Sequence, residues 1–573
     1  RQEDVSSPKS LQLETIFDKI KGDKNYMEEN KKYPQEGRNM GFYMDSAAPK
    51  TLYRSEFLSP YFVDKSMVLK ELFKIIESGN KHICITRPRR FGKTVMTNMI
   101  ASFFTSSIDS SDIFDNLKIA KHPDYKKHLN QYKVIQINFS EMPDECESYK
   151  AYIRRVHKLL KRDLQELYPQ LNLDFEDATK DLLRKIHERT GDEFIFVFDE
   201  WDYIFHEWFM TERDKNEYLT FLSALLKDQS YVKMTYMTGI LPIAKYSSGS
   251  KLNMFVEYTM VEEEKFSDTF GFTDEEVDEL FKRYQERTEN RHLTREDLRT
   301  WYDGYYIKSG KRIYNPRSVV VALTNNNLGN YWTNSGPYDE IFSYIEHNVD
   351  DVRDDVALMV SGESVPAKVR EYAAVSMNLT TRDEIFSAMV VYGFLTYKDG
   401  KVSIPNKELM DRFGEMLQKE PSMGYTHQLA KHSRKMLEAT IYNDTKTMED
   451  ILSYAHNTEV PILSYNHEVE LAAIVNLVYL TARDYYRVER EDKSGTGFVD
   501  FIFYPNNPNE YPGMILELKV DASSEEAIEQ IKEKQYDLKL RGRLGEDKEN
   551  KILAVGISYD KKSKNHKCRV ETL

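Results

Sequence analysis

The sequence predicts an α/β multidomain protein with a parallel-sheet core built on a phosphate-binding loop (a P-loop), a helical lid and linker region, and a C-terminal α/β unit. Three observations predict it. The stretch Thr86-Arg87-Pro88-Arg89-Arg90-Phe91-Gly92-Lys93-Thr94 follows a short apolar run, His82 to Ile85, and precedes a helical pattern, Val95 to Phe104. Short apolar runs separated by helical patterns then recur downstream, as they do in parallel sheets with helical crossovers. After Pro461 the pattern resets into strands and helices of its own.

Taken in order, residues 1–50 are polar and weakly periodic and read as an N-terminal extension. Residues 51–270 form the expected P-loop core. An amphipathic helix, Met67 to Ser78, leads into the strand before the loop. Further strands are expected at Lys133 to Asn138, Phe194 to Phe198, Val232 to Met237 and Met254 to Met260. Residues 271–375 read as a helical lid, opened by a helix with Thr273 as N-cap and Glu276 as its capping-box partner. Residues 376–460 read as a linker, with a hairpin at Phe394 to Ile404 turning on Asp399-Gly400, then helix. Residues 461–573 form the second unit: a helix (Glu468 to Tyr486), two strands (Phe498 to Phe503, Met514 to Lys519), a helix (Ser524 to Leu540) and a last strand (Ile552 to Tyr559).

At 573 residues the chain exceeds what one core can organise. Its net charge of -14 argues against a surface that coats nucleic acid throughout, and leaves room for a local basic groove. Cys84, Cys146 and Cys568 are odd in number and far apart, which predicts a reducing, cytoplasmic location and no cysteine zinc site. No apolar run approaches the roughly 20 residues of a membrane helix, so no membrane partner is expected. The chain opens at Arg1 without an apolar signal core and is expected to be a trimmed product.

A strand, a tight loop and a helix opening with Lys-Thr can bind a nucleotide phosphate. Loop amides (Arg89, Arg90, Phe91, Gly92) and the helix N-terminus face the anion, Lys93 neutralises it, and the Thr94 hydroxyl holds Mg2+. Such a loop needs an acid on a buried strand beside the loop strand. Phe194-Ile195-Phe196-Val197-Phe198-Asp199-Glu200 supplies it, with Asp199 for the metal and Glu200 to polarise the attacking water. Thr238 is expected as a polar sensor between these acids and the γ-phosphate. Arg89 and Arg90 read either as solvated loop charge or as extra phosphate or transition-state contacts.

A second constellation is Asp500 with Glu517-Leu518-Lys519 on the next strand. Residues two apart on a strand share a face, so Glu517 and Lys519 point together. Pairing the strands can bring Asp500 alongside. Converging carboxylates are best stabilised by a divalent cation, Mg2+ or Mn2+, and a neighbouring lysine can orient water or stabilise developing charge. Glu468 and Glu491 are candidates to complete that metal shell. The alternative is a solvated Glu517–Lys519 ion pair, worth little, which the apolar context of the strand argues against.

The loop segment with Tyr61-Phe62-Val63-Asp64-Lys65, Trp301-Tyr302-Asp303-Gly304-Tyr305, Tyr314-Asn315-Pro316-Arg317-Ser318, Tyr331-Trp332 and Ile404-Pro405-Asn406 resembles the bacterial AAA-ATPase-like family. In that family an ATPase is fused to a C-terminal PD-(D/E)XK nuclease-superfamily domain. Tyr465-Asn466-His467-Glu468, Gly497-Phe498-Val499-Asp500, Glu517-Leu518-Lys519 and Gln530-Ile531 match the nuclease part. The resemblance spans roughly residues 50 to 560. It implies that Arg87 in place of the motif's first glycine is normal, that the C-terminal unit is restriction-endonuclease-like, and that Asp500, Glu517 and Lys519 form its core, with Glu468 upstream and Gln530 on the following helix. Arg317 stands where such proteins often carry Trp, a difference of local packing.

Two functions follow as expectations: an ATP-binding and hydrolysing protein whose metal-dependent nuclease is regulated by ATP, or a nucleotide-switched signalling-type ATPase whose C-terminal fold binds a partner or nucleic acid without cutting. DNA or RNA as partner, and homo-oligomerisation, are left open. Trp301, Tyr302 and Tyr305 read as core of the lid rather than a base-stacking platform. Lys561, Lys562, Lys564, Lys567 and Arg569 read as a solvated tail or a nucleic-acid patch.

Overall fold

The computed structural model describes residues 41–79, 81–143, 145–243, 251–332, 345, 347, 352–370, 379–419, 425–457, 468–494, 497–544 and 551–573. Most of the predicted N-terminal extension lies outside them.

The first sheet has five parallel strands: β1 (His82–Thr86), β2 (Lys133–Asn138), β3 (Phe194–Asp199), β4 (Val232–Gly239) and β5 (Val256–Tyr258), in the order β2-β3-β4-β1-β5. Helices cover both faces. On one side lie α1 (Ala48–Phe57), α2 (Val68–Ser78) and α3 (Lys93–Phe104). On the other lie α4 (Tyr149–Leu167), α5 (Thr179–Thr190) and α6 (Glu212–Leu226). β3 shows why its sequence is continuously apolar: Ile195 and Val197 join the core with Leu72, Phe73 and Phe103, while Phe194, Phe196 and Phe198 join the core with Leu160, Leu182 and Leu222. The acid-bearing strand is therefore not beside the loop strand as expected; β4 lies between β3 and β1. Spatial strand order is set by the crossovers, which the order along the chain does not specify.

The lid holds α7 (Asp274–Arg287), α8 (Arg295–Tyr302), the two-stranded pair β6 (Tyr305–Tyr306) and β7 (Arg312–Ile313), and α9 (Pro316–Asn325). Thr273 caps α7, its side chain accepting from Glu276 N while Glu276 returns a bond to Thr273 N. Tyr302 and Tyr305 are fully buried, and Trp301 is half-buried under the Lys407 ammonium. Next come β8 (Val365–Pro366), α10 (Arg382–Tyr392), the hairpin β9 (Thr396–Lys398) and β10 (Lys401–Ser403), then α11 (Lys407–Lys419), α12 (Tyr425–Ile441) and α13 (Thr445–Asn457). Asp399 and Gly400 both take positive φ, as a two-residue hairpin turn requires.

The C-terminal unit follows α14 (Glu468–Val478). Its sheet runs β11 (Tyr486–Ser494), β12 (Gly497–Pro505), β13 (Gly513–Val520), β14 (Ile552–Asp560) and β15 (Asn565–Thr572), in that order. Only β13 and β14 pair in parallel, joined through α15 (Ser524–Glu533) and α16 (Asp537–Leu544). Two strands, β11 and β15, exceed the sequence expectation. The helix foreseen to Tyr486 ends at Val478, and the basic run foreseen as a tail is the β14–β15 turn and strand. There Lys561, Lys567 and Arg569 pair with Asp521, Glu449 and Glu525. Among the described residues no helix is long and apolar enough to cross a membrane.

Candidate nucleotide and carboxylate sites

The loop between β1 and α3 has two residues in the left-handed region, Arg90 and Gly92, and Gly92 is the N-cap of α3. Helix α3 thereby starts with its free amides at the loop. Lys93 is buried; its Nζ donates to the carbonyls of Arg87 and Pro88 at 3.2 Å and lies 4.0 Å from Glu200 Oε1. Arg87 explains its own presence. It is 1% exposed, its Nη1 donates to Thr86 O and Tyr258 O, its Nη2 donates to Phe266 O, and its guanidinium stacks over Phe270. A glycine there would leave these carbonyls without that donor. Arg87 is thus a structural tie between the loop, β5 and the entry to the lid.

A cavity of about 520 Å³ opens on this loop. Arg89, Arg90, Phe91, Gly92, Lys93, Thr94 and Glu200 line it, with Tyr61, Phe62, Asn138, Ser140 and, from the lid, Pro316, Arg317 and Val320. Sequence reasoning passed over Asn138, Ser140 and Arg317; the Asn-Pro-Arg-Ser segment was the available signal for the last.

Asp199 stands behind this wall, 1% exposed. Its Oδ2 accepts from Thr97 Oγ1 at 3.3 Å and its Oδ1 from Glu200 N. Burial, and then the charge of Glu200, raise its carboxyl to about 6, while the Thr94 hydroxyl bond and Lys93 oppose the rise. Glu200 takes a positive φ, an unusual conformation for this residue at a strand end. Thr238 is buried, and its hydroxyl donates to Ile85 O at 2.7 Å, so it ties β4 to β1 rather than facing the cavity. Asp202, unforeseen, accepts from Ile240 N and Leu241 N and fixes the turn after β4.

In the C-terminal sheet the register pairs Phe501 with Leu516, so one step further Asp500 faces Glu517 across β12 and β13. Asp500 Oδ2 accepts from Leu518 N at 2.7 Å. Glu517 is 3% exposed; its Oε1 accepts from Lys519 Nζ at 3.1 Å and from Gln530 Nε2, while its Oε2 has no hydrogen-bond partner among the described residues. Burial and then Asp500 raise its carboxyl to about 7. A buried, unpaired oxygen beside a second carboxylate fits a divalent cation with oxygen ligands. No group of three or more such ligands occurs among the described residues. The side chains of Glu468 and Glu491 lie outside them, so the rest of the expected metal shell is not described.

The fold and these sites define a P-loop ATPase-like core joined to a nuclease-like α/β domain. Residues 56–248 match the predicted AAA-ATPase family and residues 470–568 the PD-(D/E)XK nuclease superfamily, so the chain carries both domains. It is 25% identical over 283 residues to an uncharacterized protein in the vnfD 5' region of Azotobacter chroococcum mcd 1, covering 48% of this chain and 51% of that one. The chain thus spans about half the length of this curated relative. Among solved structures it is similar to the Walker-type ATPase of Pyrococcus abyssi (14% identity, 60% of this chain, 94% of that one, TM-score 0.35). It is also similar to the ORC2 protein of Aeropyrum pernix (10% identity, 66% of this chain, 96% of that one, TM-score 0.28).

Proposed function

We propose that this protein is an ATP-regulated, metal-dependent nuclease that cleaves phosphodiester bonds in nucleic acid. The observation that carries the cutting half is the buried Oε2 of Glu517, unpartnered among the described residues and opposite Asp500, with Lys519 bonded to the other oxygen. In this reading Asp500 and Glu517 hold Mg2+ or Mn2+, which would supply charge for a phosphoryl oxygen and a more acidic water. Lys519 steadies the developing phosphorane charge, and Gln530 fixes the Glu517 carboxylate. At the first site Lys93 and the α3 amides hold the phosphates of ATP, Thr94 and Asp199 hold Mg2+, and Glu200 orients the attacking water.

What supports regulation is a bonded path from the loop to the C-terminal unit. Trp332 Nε1 donates to Arg89 O at 2.9 Å, while Trp332 N and Tyr331 N donate to Glu408 Oε1. Ser318 Oγ of α9 donates to the same carboxylate. Glu408 lies in the first turn of α11, and Lys407 beside it reaches Arg483 O ahead of β11. A lid that moves with bound nucleotide therefore moves α11. The division into core, lid, linker and nuclease-like domain at residues 51–270, 271–375, 376–460 and 461–573 belongs to this reading.

The test is cleavage of single- and double-stranded DNA and RNA by the full chain with Mg2+ or Mn2+, with and without ATP. Cutting that changes with ATP and disappears in Asp500→Ala is expected. No cutting of any substrate, together with no Mn2+ heat lost in Glu517→Ala, favours the nucleotide-switched regulator instead.

A further inference from the structure

The face of the C-terminal sheet that carries the two carboxylates also carries a basic cluster. β11 pairs with β12 so that Glu489 lies opposite Ile502 and Arg487 opposite Tyr504. Ile502 and Tyr504 follow Asp500 at two-residue steps along β12, so all five side chains share one face. Helices α15 and α16 cover that face, where Ile502, Tyr504 and Ile515 pack with Ile531 and Leu540. From α16, Arg543 Nη1 donates to Glu489 Oε1 at 2.9 Å and Lys539 Nζ donates to Oε2 at 3.2 Å. Arg487 Nη2 donates to the same Oε1 as Arg543. Both guanidiniums lie against the Tyr504 ring, Arg543 at 4.5 Å and Arg487 at 5.1 Å from its centroid.

We infer that Arg487 and Arg543, with Lys539 beside them, form a subsite for a backbone phosphate of the nucleic-acid strand. The inference rests on the nuclease reading above and names where the strand is held beyond the carboxylates. Two guanidiniums share a single carboxylate oxygen, so neither makes the bidentate pair that a carboxylate can offer an arginine. Each therefore keeps most of its five donors, and Arg487 Nε has no hydrogen-bond partner among the described residues. The two side chains are 35% and 44% exposed, open to a ligand. As structure alone the arrangement gains little: exposed ion pairs add little stability, and two like charges on one oxygen repel. A phosphate brings the missing negative charge and enough acceptor oxygens for both forks. The placement suits a strand whose scissile phosphate lies at Asp500 and Glu517. One strand spacing of about 4.8 Å and two residues of about 3.3 Å put Glu489 roughly 8 Å from Asp500 along the sheet. That is about two nucleotides of a duplex strand at about 3.4 Å each. Glu489 is then a positioning residue that aims both arginines, and the Tyr504 ring supports them.

The experiment is fluorescence-anisotropy titration of labelled single- and double-stranded oligonucleotides with the full chain, without added divalent cation, over a series of salt concentrations. The variants are Arg487→Gln/Arg543→Gln, Arg487→Lys/Arg543→Lys and, as a remote control, Arg213→Gln on α6, a side chain 86% exposed. The double glutamine variant should bind roughly tenfold or more weakly at low salt. Its slope of log affinity against log salt should flatten by about 1.8 on duplex or about 1.4 on single strand, at about 0.9 or 0.7 per phosphate contact. The double lysine variant should restore the slope, and Arg213→Gln should leave affinity and slope unchanged. Mg-ATP titration of each variant checks that the chain is folded. A slope unchanged in a double glutamine variant that still takes up ATP overturns the inference and leaves the cluster a structural ion pair. An equal loss in Arg213→Gln also overturns it, because binding would then be diffuse. Neither result touches the nuclease reading, which falls instead if wild type binds and cuts no strand at all.

Discussion

Replacing Glu408 by glutamine and by alanine should have opposite effects, and the difference should depend on pH. The Glu408 side chain is 1% exposed. Burial raises its carboxyl from 4.5 to about 7, although Trp332 N, Ser318 and Tyr331 N all stabilise the charged form. An acid whose folded pKa is raised binds its proton more tightly when folded, so stability falls as pH climbs from 4.5 through 7 and is level above that. At about 1.4 kcal/mol per pH unit the fall is about 3 kcal/mol. Glutamine imitates the protonated form. Its carbonyl can take the place of Oε1, which accepts from both backbone amides, and its NH2 can donate to Ser318 in the place of Oε2. Glu408→Gln should therefore be close to neutral at pH 5 and stabilising by up to about 3 kcal/mol at pH 8.5. Glu408→Ala leaves two amides and a hydroxyl unpaired and should cost about 3 kcal/mol or more at either pH. Differential scanning calorimetry at the two pH values reads both. A Glu408→Gln protein as unstable as Glu408→Ala at pH 8.5 would refute the argument, because it would mean that the carboxylate charge, not its shape, holds lid to linker.

Other outcomes follow from the two sites. Lys93→Ala should weaken Mg-ATP at least roughly tenfold by calorimetry, since it removes a charge-assisted contact. Glu200→Gln should leave ATP affinity nearly unchanged while steady-state phosphate release falls roughly 100-fold or more. Glu517→Ala should abolish the Mn2+ binding heat and all cleavage, and ATP titration should be unaffected. Arg87→Ala removes the donor to three carbonyls and should lower the unfolding free energy of the core by about 3 kcal/mol, with ATP binding lost as well.

What the sequence made legible was what local pattern carries. The continuous apolar run at Phe194 to Phe198 could only be a strand buried on two faces, and Thr273 with Glu276 could be seen capping a helix. The opposition of Asp500 and Glu517 followed from strand periodicity and one pairing. Spatial order was not legible: β4 between β3 and β1 results from crossovers; nor was the bond of the Thr238 hydroxyl to Ile85 O, which makes that residue an interstrand tie. β11 was missed because its alternation, Tyr486-Arg487-Val488-Glu489-Arg490-Glu491, is mostly charged, and β15 because Cys568 and Val570 are its only apolar residues among Asn565, His566, Lys567, Arg569, Glu571 and Thr572. Glu408 looked like any helical glutamate; only the fold brings Ser318, Tyr331 and Trp332 to it.

The burial of Arg87 also bears on when the nucleotide loop can exist. Its partners Tyr258 and Phe266 lie 171 and 179 residues further along. The pairing of β1 with β4 closes most of that separation, but the stretch from Gly239 to Phe266 must still fold back before Arg87 has these acceptors. A growing chain that has emerged only to the end of β4 holds every residue of the loop and still lacks two of the carbonyls that anchor it. The loop should therefore be a late product of folding, and an N-terminal fragment cut before β5 should not take up nucleotide, whatever its helices and strands have already formed.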